Sequence, residues 1–337
     1  MNAMLFSANR VSLSPMACRR GREGVVDGSA AGWPAMSRAD FLHLALGAAA
    51  GLLLGGKATA AAPAMLRRPI PASGESLPVI GLGTYQGFDV ASGSAEYARL
   101  PGVLEALFAA GGSVIDSSPM YGWAEQTTGE LLAAAGSRRR AFVASKVWIE
   151  GREAGRLQME ASLRLLRAEP LDLMQVHNLV DWRKQLATLR EWKQAGRIRY
   201  IGVTHYHASA YDELAAVLRA ERLDFLQINY SFEEREAERL ILPLAAERGL
   251  AVLINRPFGG GGLLRRLHEK PLPPWAAEIE AGSWAQLLLK FVLSQPAVTC
   301  AIPGTGRPEH MADNAAAGRG PIPEPAFWQR HADFLQR

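Results

Sequence analysis

The stretch Val114-Ile115-Asp116-Ser117-Ser118-Pro119-Met120-Tyr121-Gly122 leaves an apolar run on an acid. Val114 and Ile115 read as the end of a buried strand, and Asp116 closes it. A carboxylate buried there is costly unless a cation meets it. Working outward, seven more runs of the same kind recur along the chain. They are PVIGLGT (78–84), FVASKV (142–147), DLMQVHN (172–178), IRYIGVT (198–204), DFLQINY (224–230), AVLINRP (251–257) and VTCAIPG (298–304). All are continuously apolar rather than alternating, as strands covered on both faces of a parallel sheet are.

Helical spacing fills the gaps. Leu104, Leu107 and Phe108 mark one stretch, and Leu163 with Leu166 another. Leu186, Leu189 and Trp192 mark a third, which stops at Gly196 as a C-cap would. Tyr211, Leu214, Val217 and Leu218 follow the same rule, as do Trp284, Leu287, Leu288, Phe291 and Val292. Strands alternating with helices over this length predict a (β/α)8 TIM barrel. An open doubly wound sheet is the alternative, but GLGTY (81–85) lacks the third glycine of a dinucleotide fingerprint, with Gln86 in its place. RRPIP and LPVIG, flanking the turn ASGES, predict a short N-terminal β-hairpin ahead of the barrel.

The chain divides into a leader, residues 1–62, and a single barrel domain, 63–337. Six of the basic and three of the acidic residues fall in the leader, so the body is close to neutral. That argues against nucleic acid as a partner, because such binding needs a concentrated basic surface. Phe41–Gly56 is apolar and uncharged apart from His43, too short for a stable membrane span but the length of a signal-peptide core. Ala58-Thr59-Ala60 follows as a cleavage pattern, so 36–60 reads as a signal for export to the periplasm or beyond. SRADFL (37–42) resembles a twin-arginine leader, with Ala39 where the second arginine would be. An Ala-rich tail on a cytoplasmic protein is the competing reading. Cys18 and Cys300 supply neither a disulfide framework nor a thiolate metal site.

In a barrel of this type the C-terminal strand ends line one mouth. Asp116 closes the second strand with Tyr121 just beyond, Lys146 closes the third, and His177 the fourth. Lys146 is then the cation that meets Asp116. A lysine beside a phenol favours the phenolate and lowers its pKa from about 10. The hydroxyl can donate a proton to a nascent oxyanion while a histidine holds that oxygen in line. Asp116 with SSPMYG (117–122), SKV (145–147) and QVHN (175–178) together resemble the Asp, Tyr, Lys and His tetrad of the aldo-keto reductases, over about Leu77 to Gly318. A lysine Schiff base on the same fold would need neither Tyr121 nor His177 in these places.

The resemblance implies NAD(P)H-dependent reduction of a small-molecule aldehyde or ketone, with NADP(H) preferred and NAD(H) the alternative. It implies that Gly83 and Thr84 lie beside the nicotinamide, that Asn178 and Gln227 hold its carboxamide, and that Tyr230 stacks on its ring. It places Pro257, Phe258, Gly259 and Gly260 at the pyrophosphate. IPGTGRPEHMADN (302–314) is similar to the family's adenosine-end pattern, with Thr305, Asp313 and Asn314 in place. Gly304 stands where the family has lysine and His310 where it has arginine, with Arg307 able to substitute. Trp123, Trp148 and His205 read as walls of the substrate pocket. His177, His205 and His207 are not spaced as a metal site, so no metal is expected. A short loop after the fourth strand and a brief tail after Gly318 predict an open pocket. A slow, cofactor-binding regulatory subunit on the same barrel, like ion-channel β subunits, is the alternative to an enzyme.

Overall fold

A computed structural model describes residues 64–331; the leader, with its candidate signal over 36–60, lies outside them. The predicted hairpin is present as β1 (Arg67–Pro69) and β2 (Ser76–Pro78), paired antiparallel. Eight parallel strands follow, neighbours in space in the order of the chain. They are β3 (Leu82–Gly83), β4 (Val114–Asp116), β5 (Phe142–Val147), β6 (Leu171–His177), β7 (Ile198–Thr204), β8 (Phe225–Asn229), β9 (Ala251–Asn255) and β10 (Cys300–Ala301). Parallel bridges Ile80↔Ala301 and Gly83↔Gly304 join the last strand to the first and close the (β/α)8 barrel.

Helices cover the outside between strands. They are α1 (Leu100–Ala109), α2 (Ala124–Ala134), α3 (Arg152–Leu166), α4 (Trp182–Gln194) and α5 (Tyr211–Ala220). After these come α6 (Ile241–Glu247), α7 (Gly262–Leu267), α8 (Trp284–Leu293), α9 (Pro308–Ala316) and α10 (Pro325–Arg330). Among the described residues no helix is long and apolar enough to cross a membrane.

Each of the eight apolar runs contains a strand, but the two at the seam are much shorter than their runs. Residues 78–84 give β3 and 298–304 give β10, two residues each. Glycine explains the difference. A Cβ on Gly83 would stand 2.9 Å from the Ile302 carbonyl oxygen, so the seam is a close backbone approach rather than an extended ladder.

Side chains alternate along every strand between two cores. The outward set packs under the helices: Ile115, Val143, Met174, Val176, Ile201, Val203, Leu226, Ile228, Val252 and Ile254. The inward set forms the barrel's own filling: Val114, Phe142, Ala144, Leu173, Tyr200, Phe225, Ala251, Leu253 and Cys300. Ile70 and Leu77 of the hairpin join this inner set, so the hairpin plugs the end of the barrel from which the strands start. Arg68 ties the plug down by donating to the carbonyls of Leu293, Gln295 and Val298.

The outer layer tolerates little added volume where helices cross closely. Gly129 of α2 faces α3, and a Cβ there would lie 2.0 Å from the Leu165 carbonyl oxygen. Gly129→Ala must push the two helices apart and is expected to cost about 2–3 kcal/mol, as overpacking does. Urea unfolding of the purified variant measures that loss.

Candidate active site

Two residues further along the inward face of five of the strands, the filling turns polar. Val114 is followed by Asp116, Ala144 by Lys146, Leu173 by Gln175 and His177, Phe225 by Gln227, and Leu253 by Asn255. All of these sit near the strand ends, at the mouth opposite the plug. Asp116 and Lys146 are both almost wholly buried, and Lys146 Nζ donates to Asp116 Oδ2 at 2.6 Å. It also donates to the Ser117 carbonyl at 2.7 Å. The other carboxylate oxygen, Oδ1, accepts from Gln227 Nε2 at 2.8 Å and from Gln175 Nε2 at 3.2 Å. Desolvation works to lower the lysine's pKa, but Asp116 and Tyr121 outweigh it and the pKa is raised, so Lys146 is a cation.

The ammonium stands 5.0 Å from the centre of the Tyr121 ring, and that ring meets His177 edge-on at 6.2 Å. The structure differs from the sequence expectation on one point. Burial raises the Tyr121 pKa, and the opposing pull of Lys146 limits this without reversing it. The phenol is therefore held protonated at neutral pH. His177 is neutral as well: burial first, then the charge of Lys146 and His205, bring its pKa down to about 3. Ser118 Oγ accepts the Met120 N–H at 3.4 Å and lies 3.1 Å from His177 Nδ1. A hydroxyl that donates to Nδ1 there leaves the ring proton on Nε2. Behind the site, Ser145 and Ser162 both donate to buried Glu125, fixing β5 against α2 and α3.

A cavity of about 430 Å³ opens above these groups, and its walls include Gly83, Asp116, Tyr121, His177, Thr204, Gln227, Asn255, Pro257, Phe258 and Gly260. Thr84 lies just below, donating to the Asp116 carbonyl. Asn178 has a left-handed backbone and a buried Oδ1 with no hydrogen-bond partner. Gln227 is already engaged: its amide donates to Asp116 and its oxygen accepts from Thr204. Tyr230 corrects the sequence reading. It belongs to the outward set of β8 with Leu226 and Ile228, is fully buried, and stacks on Phe291 of α8 at 5.6 Å. It cannot stack on a ring in the mouth.

At the far end Gly259, Gly260 and Gly261 all adopt positive φ, with the guanidinium groups of Arg256 and Arg265 alongside. Thr305 is buried and its hydroxyl caps the Arg307 N–H. Arg307 and His310 are exposed at the start of α9, and Asn314 is buried. Asp313 is committed elsewhere, accepting from Ser283 and Gln286 of the neighbouring turn and α8.

Aromatic side chains ring the opening. The Trp148 ring is 6.2 Å from His177, and Tyr85 lies 5.0 Å from Tyr121. Trp123 is exposed on the loop after β4, its N–H held by Asp89. His205 is stacked with Tyr206, and its Nδ1 accepts the His207 N–H. Sequence reading missed Tyr85, Ser118, Gln175, Tyr206 and Asn255. Counting by twos from Leu173 and Leu253 finds Gln175 and Asn255; the three loop residues carry no comparable signal.

A closed parallel barrel with a buried Asp–Lys pair, a phenol and a neutral imidazole at its C-terminal mouth defines an oxidoreductase of the carbonyl-reducing kind. The model of the Aldo/keto reductase family matches residues 79–327, and the chain belongs to that family. It is 31% identical over 261 residues to the methylglyoxal reductase YeaE of Escherichia coli, covering 75% of this chain and 89% of that protein. Among solved structures it resembles an aldo-keto reductase from Klebsiella pneumoniae in complex with NADPH. That likeness has 27% identity and a TM-score of 0.67, over 80% of this chain and 95% of the other. A second Klebsiella pneumoniae structure, with NADP and acetate, gives 27% identity and a TM-score of 0.65 over 78% of this chain and 92% of the other. The protein is an NAD(P)H-dependent oxidoreductase.

The depressed His177 pKa sets a pH dependence. The unfolded chain binds the proton near pH 6.5 and the folded one only near 3. Its contribution to stability is present above pH 6.5 and is lost as the pH falls toward 3. Relative to His177→Gln, the native protein should lose about 1.4 kcal/mol per pH unit across that window. Urea unfolding of both proteins in a pH series measures the difference.

Proposed function

We propose that this enzyme reduces aldehydes or ketones to alcohols with NADP(H), and that Tyr121 supplies the proton. The arrangement of Asp116, Lys146, Tyr121 and His177 around one cavity carries this reading. When bound, the reduced nicotinamide supplies the hydride for the carbonyl carbon. His177, protonated on Nε2, donates a hydrogen bond to the carbonyl oxygen and fixes its direction. Tyr121 gives its hydroxyl proton to that oxygen as negative charge builds. The Lys146 cation then stabilises the phenolate left behind, and Asp116 keeps the ammonium in place.

The residues present fit a dinucleotide. The orphaned Asn178 Oδ1 offers an acceptor for a carboxamide, and the positive-φ glycines with Arg256 and Arg265 offer a phosphate cradle. Arg307 has no carboxylate partner among the described residues, which supports a phosphate at the adenosine end and hence NADP(H). Tyr85, Met120, Trp123, Trp148 and Tyr206 are exposed around the mouth, a surface that favours carbonyl compounds with an apolar or aromatic substituent.

Tyr121→Phe keeps the ring and loses the proton. Turnover of an aromatic aldehyde with NADPH should fall by about 10²- to 10⁴-fold while the dinucleotide dissociation constant stays nearly unchanged. Steady-state kinetics and fluorescence titration measure the two. Normal turnover in the variant would remove Tyr121 from the chemistry.

A further inference from the structure

Asn255 ends β9 on the inward face, in phase with Ala251 and Leu253. Its Nδ2 donates to the carbonyl oxygen of His205 at 3.2 Å, with Gln227 Oε1 at 3.5 Å. A backbone carbonyl only accepts, so this contact fixes which end of the amide is nitrogen. The oxygen is then the free end. Oδ1 is buried and has no hydrogen-bond partner, on a residue that lines the mouth cavity. A buried acceptor in that condition calls for a donor from whatever fills the cavity.

The position narrows the choice of donor. Asn255 immediately precedes Arg256-Pro257-Phe258-Gly259-Gly260, the loop assigned to the pyrophosphate. The cavity runs from Tyr121 and His177 to Pro257, Phe258 and Gly260, with Asn255 among its walls. A ligand that joins the proton donor to the glycine loop must pass this side chain. The aromatic expected to flank the nicotinamide, Tyr230, faces the other way. The ring is therefore not gripped by Tyr230, and a polar amide stands at the end of the strand next to it.

We propose that Asn255 holds the nicotinamide by its edge, Oδ1 accepting a hydrogen bond from the carboxamide NH2. This rests on the NADP(H) reading above and adds a binding residue to it. Gln227, whose amide is spent on Asp116, is then a support of the ion pair.

The test compares NADP+ with its 3-acetylpyridine analogue, in which a methyl ketone replaces the carboxamide and no NH2 is available. Dissociation constants are measured by tryptophan fluorescence, without turnover, for the native protein, Asn255→Ala and Asn255→Ser. Thermal unfolding checks that each variant is folded, and Ser serves if Ala is not. The Ala variant should bind NADP+ about tenfold more weakly and the analogue within about twofold of the native value. Equal weakening of both ligands, or no change in either, overturns the role of Asn255. A native protein that binds neither ligand overturns the dinucleotide reading itself, a separate result.

Discussion

The Lys146–Asp116 ion pair is the constraint around which the mouth of the barrel is built. Both groups are out of water, and deleting one partner of such a pair leaves an uncompensated charge costing about 3–5 kcal/mol. The surroundings accordingly satisfy it from every side. Ser117 gives a carbonyl to the ammonium, while Gln175 and Gln227 give amide protons to the carboxylate. The pair and these two amides come from β4, β5, β6 and β8, so the network binds strands that are not all neighbours. With its position fixed in this way, the charge acts on two groups at once. It adds to the burial that keeps the His177 imidazole neutral and restrains the rise in the Tyr121 pKa that burial causes. On the proposed reading, in which Tyr121 gives up its proton, that group must be protonated beforehand and tolerably stable afterwards. Burial secures the first condition and the cation the second.

The longer strands run from oil to polarity. On β5 the inward sequence is Phe142, Ala144, Lys146, and on β6 it is Leu173, Gln175, His177. The lower positions hold the barrel together and the upper ones line the mouth, two residues apart on the same face. These polar side chains are thus anchored directly above a close-packed layer, which restricts their movement. The loops contribute what the strands cannot, namely Tyr121 and the aromatic rim.

Much of this was legible in the sequence because buried parallel strands are written as continuous apolar runs. FVASKV and IRYIGVT match β5 and β7 residue for residue. The hairpin was legible from its turn, and the tetrad from polar residues interrupting apolar ends. Tyr230 was misplaced because resemblance of order along the chain says nothing of face. Leu226, Ile228 and Tyr230 share one phase of the pleat, and Phe225 with Gln227 share the other. Phase alone sends Tyr230 to the helices and Asn255 to the mouth. Asp313 fits the family pattern in sequence yet is spent on Ser283 and Gln286, contacts that depend on how α8 and α9 pack. No local signal carries that information.

The plug is attached to the barrel at several separate points. Leu66 donates its N–H to the Gly318 carbonyl, Met65 is buried in the outer core, and Arg68 is stitched to the turn before β10. All of these attachments are made by residues from Met65 onward. The end of the barrel away from the mouth is thus sealed by residues of the barrel domain itself, and the seal ties the first strand's approach to the last strand's.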